Sequence, residues 1–268
     1  METAKDADNR RRYYRPARVR KMSRLFYNLG RKVGPHVRKA KWMWQSMTGS
    51  EADAIRAEHE VGQDLARQIK GQLKPDPEPR TAQMLNEVGF RLAACVANKL
   101  RRFSFETVEG GEPNAFALPG GFIFVTRSLV ELCEWQEDEV AFILGHEMSH
   151  VMRGHAMDRI ISNSAIAMGA RAAPIRGSLS RWLQKVGVRF LESAYSQDLE
   201  LEADRLAVRL TEAAGYDPKA SIRLLSRLAE ISQRSTSSTL GDYFSSHPHS
   251  EVRIRDVKNL LRQRGEEL

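Results

Sequence analysis

The chain has 268 residues, of which 41% are hydrophobic and 28% are charged. This length suits one sizeable domain with an appendage, and the polar composition is untypical of a protein embedded in a membrane. No stretch approaches the ~18 consecutive apolar residues of a spanning helix, so we expect none. The two cysteines, Cys95 and Cys133, stand in apolar surroundings without a C-x-x-C spacing, which predicts buried thiols in a reducing compartment.

The net charge of +8 is concentrated near the N-terminus. Residues 10–50 contain thirteen arginines and lysines and no acidic residue, so the rest of the chain sums to about −5. Six aromatic residues are interleaved with these cations: Tyr13, Tyr14, Phe26, Tyr27, Trp42 and Trp44. We define residues 1–50 as the basic arm and residues 51–268 as the main domain.

Three interpretations of the basic arm stay open: a solvated or disordered tail, a contact with an anionic membrane surface, or a nucleic-acid contact. The arm also lacks the apolar core of a secretory signal, which argues against export. We therefore expect a cytoplasmic protein, peripheral to a membrane if the arm binds lipid.

The first half of the main domain is predicted to pass from helices to strands. Apolar spacing predicts a helix from Glu51 to about Leu73, ended by the two prolines of KPDPEP (74–79), and a second helix from about Thr81 to Leu100. The segment FSFETVE (103–109) alternates as a strand does. NAFALPGGFIFVTR (114–127) predicts two short strands around a Pro-Gly-Gly turn, and hence a small antiparallel sheet.

The second half is predicted to be almost entirely helical. The helices are expected over residues 137–160, 197–216 and roughly 250–265. The predicted fold class is therefore α+β, mainly helical, with one small antiparallel sheet just before a histidine-bearing helix.

That helix contains LGHEMSHVMRGH (144–155), in which two histidines have the H-E-x-x-H spacing of a zinc site. On a helix, His146 and His150 lie on one face, roughly 6 Å apart along the axis, so both imidazoles can bind one ion. Glu147 points to an adjacent side, where it can reach a water rather than the ion. The structural alternative is a pair of core histidines held by ordinary hydrogen bonds.

A catalytic zinc ion normally takes three protein ligands and a water, so a third ligand is needed. SQDLELEADRLA (196–207) places Glu200 and Asp204 on one helical face among apolar residues, where an isolated buried carboxylate would be costly. We therefore predict Glu200 as the ligand, with an ordinary salt bridge as the alternative. Asp204 can instead orient a ligating imidazole by accepting its other N–H. Glu202 faces elsewhere and is predicted to be a surface charge.

These motifs and three others occur in a fixed order between Asn114 and Ile254, over about half of the chain: NAFALPGG, LGHEMSHVMRGH, SQDLELEAD, GYDP (215–218) and HPHSEVRI (247–254). In this order the chain resembles the zinc peptidase family that includes the CAAX prenyl protease, the heat-shock protease HtpX and the Oma-type mitochondrial proteases. The resemblance implies a zincin-type metallopeptidase domain of the gluzincin class. Two departures are Gln197, where arginine is common, and the polar composition, since several family members are embedded in membranes.

The resemblance also implies roles for individual residues. It makes His146, His150 and Glu200 the ligands of one zinc ion and Glu147 the general base, with Asp204 supporting the ligands. His155 matches a further histidine of the motif helix and would have a supporting role, although a plain helix-end histidine is the alternative.

The family pattern further marks His247 and Arg253. Either side chain can stabilise the oxyanion that forms when water attacks a carbonyl, and either can be purely structural. His247 lies in a loop-like stretch, so it can alternatively act as a fourth zinc ligand that closes the site until substrate displaces it.

The function predicted from these observations is a zinc-dependent endopeptidase for unfolded or membrane-associated proteins. The NAFALPGG strand is expected to pair with an extended substrate backbone, which gives weak sequence specificity. One alternative is a metal-stabilised membrane-surface or chaperone-like binding module that hydrolyses little. A nucleic-acid-associated protein acting through residues 10–50 is another, although no nucleic-acid-binding fold is recognisable.

Overall fold

A computed structural model describes residues 49–110, 112–160, 194–234, 247 and 251–266. Apart from its last two positions, the basic arm lies outside the described residues, so its three interpretations stay predictions. In the described ranges, no helix is long and apolar enough to cross a membrane.

The described elements alternate as the sequence predicts: two helices, a sheet, then helices. Their bounds are α1 (Glu51–Lys70), α2 (Pro79–Ala94), β1 (Ser104–Val108), β2 (Ala115–Leu118), β3 (Phe122–Thr126), α3 (Arg127–Leu132), α4 (Glu137–Met152), α5 (Gln197–Ala213), α6 (Ala220–Arg234) and α7 (Glu251–Gln263). A further helical stretch occupies residues 155–160. The predicted α+β class, mainly helical with one small sheet, is confirmed.

The sheet has the strand order β1-β3-β2. β2 and β3 pair antiparallel around the Pro119–Gly121 turn, as predicted, whereas β1 pairs parallel to β3, so the sheet is mixed. The reason is topological: the loop after β1 carries the chain past the position of β3, and β3 then returns between the two earlier strands. β2 consequently lies at one edge of the sheet.

The Pro-Gly-Gly turn is shaped by close packing as well as by backbone conformation. Gly120 and Gly121 have φ values of 73° and 93°, which favour glycine. A Cβ on Gly121 would lie 2.0 Å from the carbonyl oxygen of Arg102, and a Cβ on Gly62 of α1 would lie 1.7 Å from that of Pro119. Helix α1 is therefore packed directly on the turn that joins β2 to β3.

Helix α4 is buried along almost its whole length, between the sheet, α2, α5 and α6. A Cβ on Gly145 would lie 3.4 Å from the backbone of Ala207, so α4 and α5 approach closely there. This close approach brings the histidine face of α4 against the face of α5 that carries Glu200 and Asp204.

Three local predictions differ from the structure. The helix predicted over residues 137–160 breaks after Met152, because Gly154 adopts a left-handed φ of 76° and helical structure resumes only at residue 155. Helix α2 ends at Ala94 rather than near Leu100. Cys95, which caps that helix end, is exposed, so the prediction that both thiols are buried is wrong for it; Cys133 is buried as predicted.

Candidate metal centre

Four side chains converge: two from α4, one from α5, and His247, which lies four residues before the start of α7. One donor atom from each of His146, His150, Glu200 and His247 lies within 4.8 Å of the others. The Nε2 atoms of His146 and His150 are 3.1 Å apart. Nδ1 of His247 lies 3.2 Å from Nε2 of His146 and 3.1 Å from Oε1 of Glu200. All four side chains are buried. Within the described part of the chain, this is the one group of such donors found close enough together to hold a metal ion.

Asp204 orients His146 from behind. Nδ1 of His146 lies 2.9 Å from Oδ1 of Asp204, so the carboxylate faces this nitrogen and Nε2 is turned toward the other donors. Burial lowers the pKa of His146, but the hydrogen bond to Asp204 and the charge of Glu200 outweigh it, and the net shift is upward. This is the arrangement that the helical face of Glu200 and Asp204 predicts as one of its alternatives.

His150 lies between His155 on one side and the other donors on the other. Burial lowers the pKa of His150 well below its ordinary value, which keeps the imidazole in the neutral form that binds metals. Its Nδ1 lies 3.1 Å from Nδ1 of His155, whose Nε2 lies 3.5 Å from Glu202. His155 is thus placed where a supporting residue would be. Glu202 is half-exposed and pairs with Arg153 at 2.9 Å, as expected of a surface charge.

Arg253 compensates the carboxylates of α5. Its guanidinium donates two hydrogen bonds to Asp204, at 2.7 and 2.6 Å, and lies 2.7 Å from Oε2 of Glu200. Burial raises the pKa of Glu200, but the charges of His247 and Arg253 outweigh this and hold it well below its usual range. Both carboxylates therefore stay ionised, as metal binding requires. Because its guanidinium contacts Asp204 and Glu200, Arg253 is better placed to position these carboxylates than to contact an oxyanion. Its oxyanion role stays a prediction.

Glu147 lies beside His247 and is buried with the rest of the group. Its Oε1 is 3.3 Å from Nε2 of His247, and its side chain is 1% exposed. His247 therefore contacts Glu147, Glu200 and His146 at once. In this conformation the whole cluster is closed to bulk solvent.

Sequence reasoning missed two residues beside the cluster. The ring of Tyr195 stacks on the imidazole of His150, with centroids 3.9 Å apart and planes 13° apart, and Arg159 lies over the same ring at 4.4 Å. Tyr195 immediately precedes the SQDLELEAD motif, and Arg159 follows His155 by one helical turn. Their positions next to the two motifs could have drawn attention to them. They were passed over because neither tyrosine nor arginine is a usual zinc ligand.

The donor set fits a metal ion. Two imidazoles, a carboxylate and a third imidazole are the ligand types that zinc accepts. Arg253 is a single cation shared by two buried carboxylates, Asp204 and Glu200, so one negative charge is left for a metal ion to compensate.

The match to known proteins agrees with this geometry. Residues 79–261, more than half of the chain, match the family described as "Peptidase family M48". The chain belongs to peptidase family M48. The resemblance to this peptidase family that the five ordered motifs carry is therefore confirmed.

Several curated relatives of this M48 chain have protease names. The beta-barrel assembly-enhancing protease of Escherichia coli (strain K12) is 28% identical over 221 residues, which is 78% of this chain and 45% of that protein. The mitochondrial metalloendopeptidase OMA1 of Schizosaccharomyces pombe is 27% identical over 212 residues, 76% of this chain and 61% of its own. The metalloprotease LoiP of Escherichia coli (strain K12) is 31% identical over 157 residues, 57% of this chain and 60% of its own. The chain thus spans between about half and three fifths of the length of these relatives.

Proposed function

We propose that this chain is a zinc-dependent endopeptidase in which His146, His150 and Glu200 hold one zinc ion. The observation that carries the proposal is the convergence of these three donors with His247, which in turn contacts Glu147. A bound zinc ion would supply Lewis acidity, polarising the scissile carbonyl and acidifying the attacking water. The family membership supports a metal-dependent peptidase, and the choice of zinc rests on the ligand types.

Glu147 is the proposed general base. Its carboxylate takes a proton from the attacking water and passes it to the leaving amine, which needs a carboxylate held near the reacting atoms but not bound to the metal. His247 then has two possible roles. Its Nε2, 3.3 Å from Glu147, can donate to the developing oxyanion, or its Nδ1 can remain with the ligands and close the site. Arg253 acts by holding Asp204 and Glu200 in place.

The proposed substrates are unfolded or membrane-associated proteins. β2 is an edge strand, and Thr126 donates to the carbonyl of Asn114 in the pairing between β2 and β3. Because hydrogen-bonded and non-hydrogen-bonded pairs alternate in an antiparallel ladder, the backbone groups of Ala115 and Ala117 then point away from β3. An extended chain can pair with them through its own backbone, which tolerates many sequences. Contact with membrane-associated substrates would use residues 10–50 on an anionic surface.

A second candidate is a metal-stabilised membrane-surface or chaperone-like binding module with little activity. The observation that favours it is His247, which completes a set of four donors, because structural zinc sites are closed in this way. The presence of Glu147 within reach of His247 favours the peptidase, since a structural site needs no general base.

Cleavage of casein by the purified chain separates these candidates. We expect cleavage that 1,10-phenanthroline abolishes and that added zinc restores. Glu147→Gln should keep the zinc and the fold but lose activity by about 100-fold or more, because an amide cannot accept the proton of the water. Cleavage by Glu147→Gln at the parent rate would reject the mechanism. A zinc-loaded parent that binds casein without cleaving it would support the binding module instead.

A further inference from the structure

Arg159 is a buried cation that the proposed mechanism does not use. It is 8% exposed and lies in the helical stretch over residues 155–160. Within the described part of the chain, its Nε and Nη1 atoms have no hydrogen-bond partner, and its Nη2 donates only a long bond of 3.5 Å to the carbonyl of Ala117. A buried guanidinium with so few partners is costly, because the charge has been removed from water without a compensating anion.

Tyr195 places this cation next to the metal centre. The imidazole of His150 covers one face of the Tyr195 ring at 3.9 Å, so the guanidinium of Arg159, 4.4 Å from the ring centre, must lie over the other face. The Tyr195 hydroxyl is also buried and has no hydrogen-bond partner among the described residues. The unpaired N–H groups of Arg159 and the unpaired hydroxyl of Tyr195 therefore lie close to His150, a proposed zinc ligand, with the Tyr195 ring between Arg159 and His150.

Arg159 also marks the edge of the sheet where substrate is proposed to pair. The carbonyl that it contacts belongs to Ala117, whose backbone groups point away from β3. Ala117 is buried, as is Glu147. Any opening that admits a peptide to Glu147 and to this strand edge therefore brings the peptide alongside Arg159.

We propose that Arg159 binds a carboxylate of the substrate close to the scissile bond. This assignment rests on the proposed peptidase function and adds a preference to it: a sequence-tolerant backbone contact combined with selection of an acidic group. A guanidinium presents a planar fork that matches a carboxylate, and Nε and Nη1 are the donors still available. The carboxylate can come from a glutamate or aspartate side chain or from a free C-terminus, which share this chemistry.

The test uses matched peptides. The bond cleaved fastest in β-casein is mapped by mass spectrometry, and quenched fluorescent decapeptides are built around it. Glutamate is moved through three positions on either side of the bond, and each peptide is paired with its glutamine counterpart; a further pair differs only in a free or amidated C-terminus. We expect one position, or the free C-terminus, to raise kcat/KM by about tenfold or more in the parent.

Variants of Arg159 then assign the preference. In Arg159→Gln the ratio between the acidic peptide and its neutral counterpart should fall to about one, and in Arg159→Lys it should be intermediate, because the charge remains but the fork is lost. Arg209→Gln, an exposed change of equal charge on α5, should leave the ratio unchanged. Zinc content and the melting temperature are measured for every variant.

Two results would overturn the proposal. One is a parent without any preference for acidic peptides, or an equal preference in Arg159→Gln. The other is an equal loss of kcat/KM on all peptides together with loss of zinc, which would restrict Arg159 to holding Tyr195 against His150.

Fluorescence anisotropy of the same peptides on zinc-loaded Glu147→Gln gives a readout without turnover. If the parent cleaves nothing, no bond can be mapped and the peptidase function fails; anisotropy of decapeptides tiled across β-casein, each paired with its amide counterpart, on the parent and on Arg159→Gln then decides the carboxylate site.

Discussion

Two arginine–aspartate pairs join α5 to α7, and only one of them is buried. Arg253 donates two hydrogen bonds to Asp204 and also contacts Glu200, and all three side chains are buried. Arg205 donates two hydrogen bonds to Asp256, at 2.7 and 2.5 Å, but its side chain is 51% exposed. The pairs thus share helices and hydrogen-bond geometry and differ in burial, so each is a control for the other.

Arg253→Met should destabilise the metal-free chain strongly, because it leaves two carboxylates buried without their cation. Removing one partner of a buried ion pair costs about 3–5 kcal/mol, a large part of the roughly 5–15 kcal/mol that stabilises a typical domain. For a domain of this size the loss corresponds to a fall in melting temperature of roughly 6–20 °C. Arg205→Met should cost no more than about 1 kcal/mol, as exposed pairs do.

The assay is denaturant unfolding followed by circular dichroism at pH 7 with a chelator present. Chelation matters because a bound zinc ion would neutralise Glu200, so adding zinc should recover part of the loss in Arg253→Met.

The loss should also shrink as the pH falls. Burial raises the pKa of Asp204, but the charge of Arg253 outweighs it in the parent, where the lowered pKa stabilises the fold above about pH 4 and this stability is lost in acid. Without Arg253, burial raises the pKa instead, and proton uptake relieves the variant as the pH decreases from 7.

Equal losses of stability in Arg253→Met and Arg205→Met would refute this reasoning, since burial is the property that separates them. A difference from the parent that widens between pH 7 and pH 5 would refute it as well. That result would mean that the folded variant binds fewer protons than the folded parent over this range, so the pKa of its buried carboxylates is not raised.

Three further predictions concern the metal centre and the arm. Glu200→Ala should lose zinc while Glu202→Ala keeps it, and equal metal contents by elemental analysis would contradict the ligand assignment. For His247→Ala, a large fall in peptide hydrolysis supports the oxyanion role that we favour, a rise supports closure by a fourth ligand, and an unchanged rate eliminates both. Deleting residues 10–50 should abolish co-sedimentation with anionic liposomes at low salt and spare cleavage of a soluble peptide; undiminished sedimentation would reject membrane contact through the arm.

Local periodicity explains how much of the site could be predicted from the sequence. The spacing of His146 and His150, and of Glu200 and Asp204, sets which side chains share a helical face, and that depends on the helix alone. The apolar residues around them indicated which face is buried. The sequence by itself therefore determined the helices that carry the candidate site, the donor side chains that share each helical face, and the family.

Packing between distant segments decided the rest. Three contacts join residues that no local spacing relates: the parallel pairing of β1 with β3, the bond from Arg253 to Asp204 and the stacking of Tyr195 on His150. His247 stands 47 residues beyond Glu200 in the chain and reaches it through the fold. Such contacts depend on how whole elements bury their apolar faces against each other, and a helical or strand period says nothing about which neighbour an element will meet.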